Sequence, residues 1–175
     1  MRGASMIEVL VTLVIIAFGL LGMAGLQVRM QSSEIESYQR SQALLLVNDM
    51  ANRLATNRTA AALYVTGTTY GAGMDCPTST TSVVNRDLKE WCQALQGASE
   101  TSNSGATKQG AMIGGRGCVE VVDGDYMVTV AWQGLTPISA PPASVTCGAN
   151  LYDSGNCEND LCRRVVTTVV RIATL

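Results

Sequence analysis

Val9 to Val28 form 20 consecutive residues without a charge. Coiled as a helix, that run is about 30 Å long, which matches the hydrocarbon thickness of a bilayer. A wholly soluble domain carries about 25% charged residues. This chain carries 15%, and its apolar excess is concentrated in this one segment. The short positive end, Arg2 with the initial amine, predicts a cytoplasmic N-terminus, an inner-membrane crossing and a periplasmic remainder.

Beyond the segment the chain is close to neutral. Lys and Arg number 12 and Asp and Glu 14; setting aside Arg2 and Glu8 leaves 11 against 13. Nucleic-acid binding calls for a clustered basic face, and no basic run is present. The sequence has no His, the most common general base and metal ligand. The six cysteines (Cys76, Cys92, Cys118, Cys147, Cys157 and Cys162) all follow the apolar segment. An even number confined to that side points to disulfides in an oxidising compartment. Zinc is disfavoured, because the nearest pair, Cys157 and Cys162, has four residues between its members and no His accompanies it. No metal and no cofactor is expected.

Two details distinguish the segment from an ordinary membrane anchor. Glu8 sits at its start, where a carboxylate costs up to about 3 kcal/mol as it nears the bilayer centre. Gly3 supplies a small-residue junction ahead of the apolar run, whereas a secretory signal is cut after it. Residues Arg2-Gly3-Ala4-Ser5-Met6-Ile7-Glu8-Val9-Leu10-Val11-Thr12-Leu13 resemble the prepilin signature of type IV pilins and type II secretion pseudopilins. The resemblance implies cleavage by a prepilin peptidase after Gly3, a leader of residues 1–3 with a start codon expected further upstream, and N-methylation of Ala4. Ala4 stands where the family usually has Phe. The family's acidic residue maps to Glu8, whose carboxylate is expected to pair with the new amine of a neighbouring subunit. Pairing relieves two charges that are costly in lipid and sets axial register.

The helix is expected to continue from residue 4 to about 62, with residues 4–28 in the membrane and 29–62 amphipathic. Ile35, Tyr38, Ala43, Leu46, Val47, Met50 and Leu54 recur at helical spacing, and Gln39, Arg40, Asn48, Asp49 and Arg53 fill the other side. Gly19, Gly22 and Gly25 read either as a close-packing surface or as a segment that unwinds on assembly.

Residues 63–175 read as a periplasmic head. A loop over 64–83 precedes a short helix capped by Asn85, with Leu88, Trp91, Cys92 and Leu95 on one face and Gly97 as the stop. Residues 97–117 read as a loop. Strands are expected at Cys118–Val122, Tyr126–Trp132 and Cys162–Ile172, with a hairpin at Asp123-Gly124-Asp125. Tyr126, Val128, Val130 and Trp132 share a face, which should meet the long helix. The fold class is therefore α+β: a long N-terminal helix packed against a small antiparallel β-meander, a pilin-like arrangement. Cys76 is expected to pair with Cys92, and Cys147 with Cys157 or Cys162 to close the long loop. Asp153 to Asp160 reads as a solvated acidic loop, since the ligand order of an EF-hand is not met.

The Cys162-Arg163-Arg164-Val165-Val166 ending, the Tyr126–Trp132 strand and the Asp87, Trp91, Cys92 stretch are similar to the PilV group of minor pilins. That resemblance implies a subunit that helps prime pilus assembly, in a tip complex with other minor pilins, and helps present an adhesin there. The implied partners are the major pilin, other minor pilins, the prepilin peptidase, the inner-membrane assembly platform and a tip adhesin. The implied location is the inner membrane and then the extracellular pilus. A minor pseudopilin of type II secretion shares the N-terminal logic and is the alternative. No spacing resembles a nucleophile elbow or paired acid sites, so an enzyme is not expected. A DNA-binding pilin is also disfavoured, because adjacent Arg163 and Arg164 point to opposite faces of a strand.

Overall fold

A computed structural model describes residues 5–98, 101–102, 107–108 and 112–172. The chain divides into two compact units, Met1–Ser37 and Tyr38–Leu175. The division falls inside the first helix and beyond residue 28, where the charge-free run ends.

Helix α1 (Met6–Thr56) is unbroken, including at Gly19, Gly22 and Gly25. It is long and apolar enough to cross a membrane. In the first unit its side chains are exposed on every side, apart from half-buried Ser32 and Glu36. A Cβ added at Gly19, Gly22 or Gly25 would touch nothing within 4 Å.

In the second unit the periodicity sharpens into one buried stripe: Gln39, Ala43, Val47, Met50 and Leu54. These are steps of three and four, the spacing of one helix face. Ile35 and Tyr38, expected at the head of the stripe, are each 47% exposed. The first buried position is Gln39, assigned from sequence to the polar side; its Oε1 accepts from the Ile113 N–H at 2.9 Å.

The expected helix to residue 62 ends six residues earlier. The Thr56 hydroxyl bonds back to the Asn52 and Arg53 carbonyls at 2.9 and 3.0 Å. Asn57 then leaves helical geometry (φ −108°, ψ 43°), and the chain tightens into a 3-10 helix, Arg58–Tyr64. Three residues per turn bring side chains at i and i+3 into line. That lets Ala61 and Tyr64 both enter the core, which an α-helix would not do as directly.

Helix α2 (Val83–Leu95) buries Leu88, Trp91, Cys92 and Leu95 as expected, together with Val84 and Asp87. Its N-cap is Ser82 rather than Asn85: the Ser82 hydroxyl accepts from the Asn85 N–H at 3.1 Å. Asn85 instead bonds the Ser79 and Thr81 hydroxyls at 3.1 and 3.2 Å, pinning the incoming loop. Gly97 ends the helix with φ +79°, a conformation that favours glycine.

The strands of the main sheet are β1 (Tyr70–Gly71), β4 (Arg116–Val122), β5 (Asp125–Gln133) and β6 (Arg163–Val170). They lie in the order β1-β4-β5-β6, all antiparallel. A separate pair, β2 (Thr101–Ser102) with β3 (Thr107–Lys108), lies in the segment read as loop. Strand β1 likewise lies in the 64–83 segment read as loop; a two-residue strand leaves no periodicity to read. The hairpin loop is Asp123-Gly124, with φ +53° and +86°, and Val122 faces Asp125 across it.

The sheet face carrying Val119, Val128, Val130 and Trp132 joins Ala43, Val47, Met50, Leu54, Tyr64, Leu88, Trp91 and Leu95 in one apolar core. Trp91 is fully buried and donates its Nε1–H to the Leu46 carbonyl at 2.9 Å. The ring fits because position 117 is glycine: a Cβ there would lie 2.3 Å from Trp91 Cη2.

Candidate functional site

Helix α1 begins at a local cap. The Glu8 backbone N–H donates to the Ser5 carbonyl at 3.0 Å and to the Ser5 hydroxyl at 3.4 Å. Ser5-Met6-Ile7-Glu8 thus has the Ser-x-x-Glu spacing of a helix start. A carboxylate in the first turn also faces the positive end of the helix dipole. The dipole favours Glu8 where it stands, while the cap is made by Ser5 alone. Among the described residues, however, its carboxylate has no partner, and its immediate neighbours Met6, Ile7, Val9 and Leu10 are exposed apolar side chains. Gly3 and Ala4, the expected cleavage and methylation positions, lie outside the described residues.

All six cysteines are paired: Cys76–Cys92, Cys118–Cys147 and Cys157–Cys162. The first bridge ties the incoming loop to α2. The expected partners of Cys147 are corrected by the second. Cys118 lies on the sheet face opposite the core, and the returning loop brings Cys147 over that face rather than toward its own sequence neighbours. Arg163 locks the loop from the same side. Its guanidinium, 3% exposed, donates to the Val145 and Cys147 carbonyls at 2.7 and 3.1 Å and pairs with Asp160 at 3.0 Å.

That arrangement also accounts for the acidic loop. Asp153 accepts from the Asp160 N–H at 2.8 Å, and Asp160 accepts from the Asn150 N–H at 2.8 Å. These carboxylates hold the turn together. Among the described residues no group of three His, Cys, Asp or Glu side chains is placed to hold a metal ion.

A second charged cluster joins α1 to α2. Arg53 donates to Asp49 at 3.0 Å, Asp87 at 2.9 Å and Glu90 at 2.7 Å. Burial alone would ease its proton away, but Glu90, Asp49 and Asp87 together hold its pKa above the ordinary arginine value. The other oxygen of Asp87 accepts from the Tyr64 hydroxyl. Burial and that bond raise the Tyr64 pKa. Tyr152, buried with its ring under the Arg116 guanidinium, is also raised by burial, which outweighs the lowering by Arg116. Every charge in this group is answered by a structural partner, so the cluster fastens the second unit rather than offering a reactive group.

No family model, no curated protein and no solved structure matches this chain. Its function is therefore read from the residues themselves. The described geometry combines an exposed apolar helix, a carboxylate without a described partner at its start, and a disulfide-braced α+β head.

Proposed function

We propose that the chain is a minor type IV pilin, processed by a prepilin peptidase and taking part in priming and assembly of the pilus with other minor pilins and the major pilin. One observation carries the reading. Glu8 opens a membrane-length helix, and its carboxylate has no counter-ion among the described residues. A charge that costs up to about 3 kcal/mol in lipid is retained where a hydrophobic residue would insert more favourably. Cleavage after Gly3 would create an ammonium at Ala4, and Glu8 of one subunit paired with Ala4 of the next neutralises both groups. The head then faces an oxidising compartment, in keeping with three disulfides and no free cysteine among the described residues.

The test is Glu8→Leu. The variant should accumulate in the inner membrane at the wild-type level yet be depleted at least about tenfold from sheared pili, the ratio that loss of roughly 1.4 kcal/mol of subunit pairing gives. Wild-type incorporation of the variant refutes the pairing role. Peptide mass spectrometry of the same pili reads the mature N-terminus: an Ala4 start is expected, and an uncut Met1 in cells with active prepilin processing refutes the assignment. A deletion strain separates the pilus from a type II secretion pseudopilus. Lost twitching with intact exoprotein secretion supports the former, and the reverse phenotype the latter.

A further inference from the structure

The two edges of the four-stranded sheet are treated differently. On one side β1 covers Arg116 and Gly117, and Thr66 continues the closure. The Thr66 N–H donates to the Val119 carbonyl at 2.9 Å, and the Val119 N–H donates to the Thr66 hydroxyl at 3.1 Å. On the other side, among the described residues, β6 pairs only with β5.

The ladder fixes which β6 groups look outward. Gln133 faces Arg163 across the strands, so Gly134 faces Cys162, and the Gly134 N–H donates to the Cys162 carbonyl at 2.7 Å. In an antiparallel pair, residues that exchange hydrogen bonds alternate with residues that do not. Arg164, Val166, Thr168 and Val170 therefore turn their backbone groups toward β5. Arg163, Val165, Thr167 and Val169 turn theirs away. Two independent contacts agree. The Arg163 N–H is taken by the Asp160 carbonyl, outside the ladder. Val119, opposite Val128, spends its own groups on Thr66, as a residue facing away from β5 should.

Among the described residues nothing accepts from or donates to the outward groups of Val165, Thr167 and Val169. Natural sheets protect a free edge with Lys, Pro, bulges or a covering element. The run Val165-Val166-Thr167-Thr168-Val169-Val170 has none of the three residue-level devices and is β-branched throughout. Such an edge accepts an added strand through main-chain bonds, with side chains setting preference. The side-chain preference is for an acid. At the end of the strand the Arg171 side chain is 84% exposed and uses only Nε, on Asp125 at 2.8 Å. Its two terminal nitrogens have no described partner. A second copy of the chain suits this edge poorly. Antiparallel self-pairing about Thr167 would set Arg171 of each copy opposite Arg163 of the other, a buried, already paired cation that offers Arg171 no carboxylate.

We propose that the outer edge of β6 is a docking site for an extended, acid-bearing segment of another protein, which adds as a strand through the backbone of Val165, Thr167 and Val169 and sets a carboxylate against Arg171. The site is read from the sheet alone and stands apart from the assembly role of Glu8.

The test uses the full chain in detergent micelles and a fluorescent synthetic peptide of alternating Val and Thr ending in Glu. Two controls are the same peptide ending in Lys, and the Glu peptide N-methylated at alternate amides. The Glu peptide should bind with an affinity about tenfold above the Lys peptide, and N-methylation in the bonding register should abolish binding. Thr167→Pro removes an outward N–H only, which an edge strand tolerates. It should lower affinity by about tenfold or more with an unchanged melting profile. Arg171→Glu does not touch the ladder and should reverse the preference toward the Lys peptide. Failure of the Glu peptide to bind overturns the proposal. Equal binding of the Glu and Lys peptides, both to the wild-type protein and to the Arg171→Glu variant, overturns it as well. So does a homodimer that Thr167→Pro dissolves, which would assign the edge to a second copy.

Discussion

Replacing Gly117 by Ala tests how the core is built around Trp91. The new Cβ would lie 2.3 and 2.7 Å from Trp91 Cη2 and Cζ2, and 2.8 Å from Leu95 Cδ1. Ordinary carbon contacts begin near 3.5 Å. The indole must therefore retreat by roughly 1 Å. It is fully buried, and its Nε1–H is held 2.9 Å from the Leu46 carbonyl, so retreat breaks that bond and strains α2 against α1. Overpacking costs about 1–3 kcal/mol and the lost hydrogen bond about 1 kcal/mol. Gly117→Ala should thus destabilise the second unit by about 2–4 kcal/mol. At roughly 4 °C per kcal/mol, the midpoint falls by about 10 °C. Melting of the full chain in detergent, followed by near-ultraviolet circular dichroism, reads the fixed indole directly. Gly67→Ala is the control, because a Cβ there meets nothing within 4 Å. Trp91→Phe removes the clashing atoms, so adding it to Gly117→Ala should cost less than the two single changes summed. A Gly117→Ala midpoint equal to that of Gly67→Ala, or simple additivity with Trp91→Phe, refutes the reasoning.

Two further outcomes follow from the head. Tyr64 and Tyr152 hold their protons more tightly folded than unfolded, both chiefly because burial opposes tyrosinate. Their contribution to stability is intact below the ordinary tyrosine value of about 10 and is lost as pH rises through their raised folded values. Melting midpoints should fall steeply above that point, and Tyr64→Phe should flatten the fall; a slope unchanged by Tyr64→Phe would exclude its role. The disulfides should rank by the span they close, 29, 16 and 5 residues. Chain-entropy estimates give about 3.5 kcal/mol for Cys118–Cys147, 3 for Cys76–Cys92 and 2 for Cys157–Cys162. Denaturation of paired Cys→Ala variants checks the order, and a largest loss for Cys157–Cys162 would contradict it.

Much of the fold was legible because periodicity is local information. The alternation from Tyr126 to Trp132 and the spacing of Leu88, Trp91 and Leu95 each mark a buried face, and those faces meet in the core. What the sequence left dark depends on closure across long spans. Gln39 enters the stripe because the distant Ile113 N–H needs its oxygen. Tyr70 and Gly71 become a strand only because β4 lies beside them. Cys147 finds Cys118 because the loop folds over the sheet, a path set by Arg163 and the carbonyls it gathers. At the N-terminus, Glu8 stands out from its apolar surroundings, and the Ser-x-x-Glu spacing beside it is the local signal for the Ser5 cap. Gly3 and Ala4 lie outside the described residues and gain nothing from the structure.

The pairing of the cysteines divides the head unequally under proteolysis. A cut between Cys118 and Cys147 leaves both fragments joined by their bridge. Past Cys147 the sole remaining link, Cys157–Cys162, is internal to the tail, and no bridge reaches back to the body. A single nick in residues 148–156 would leave the sheet's last strand attached by noncovalent forces alone, able to exchange with a rival segment. The final 28 residues can thus come away without reduction of a sulfur bond, because the three bridged spans follow one another along the chain and none encloses a cut made between them.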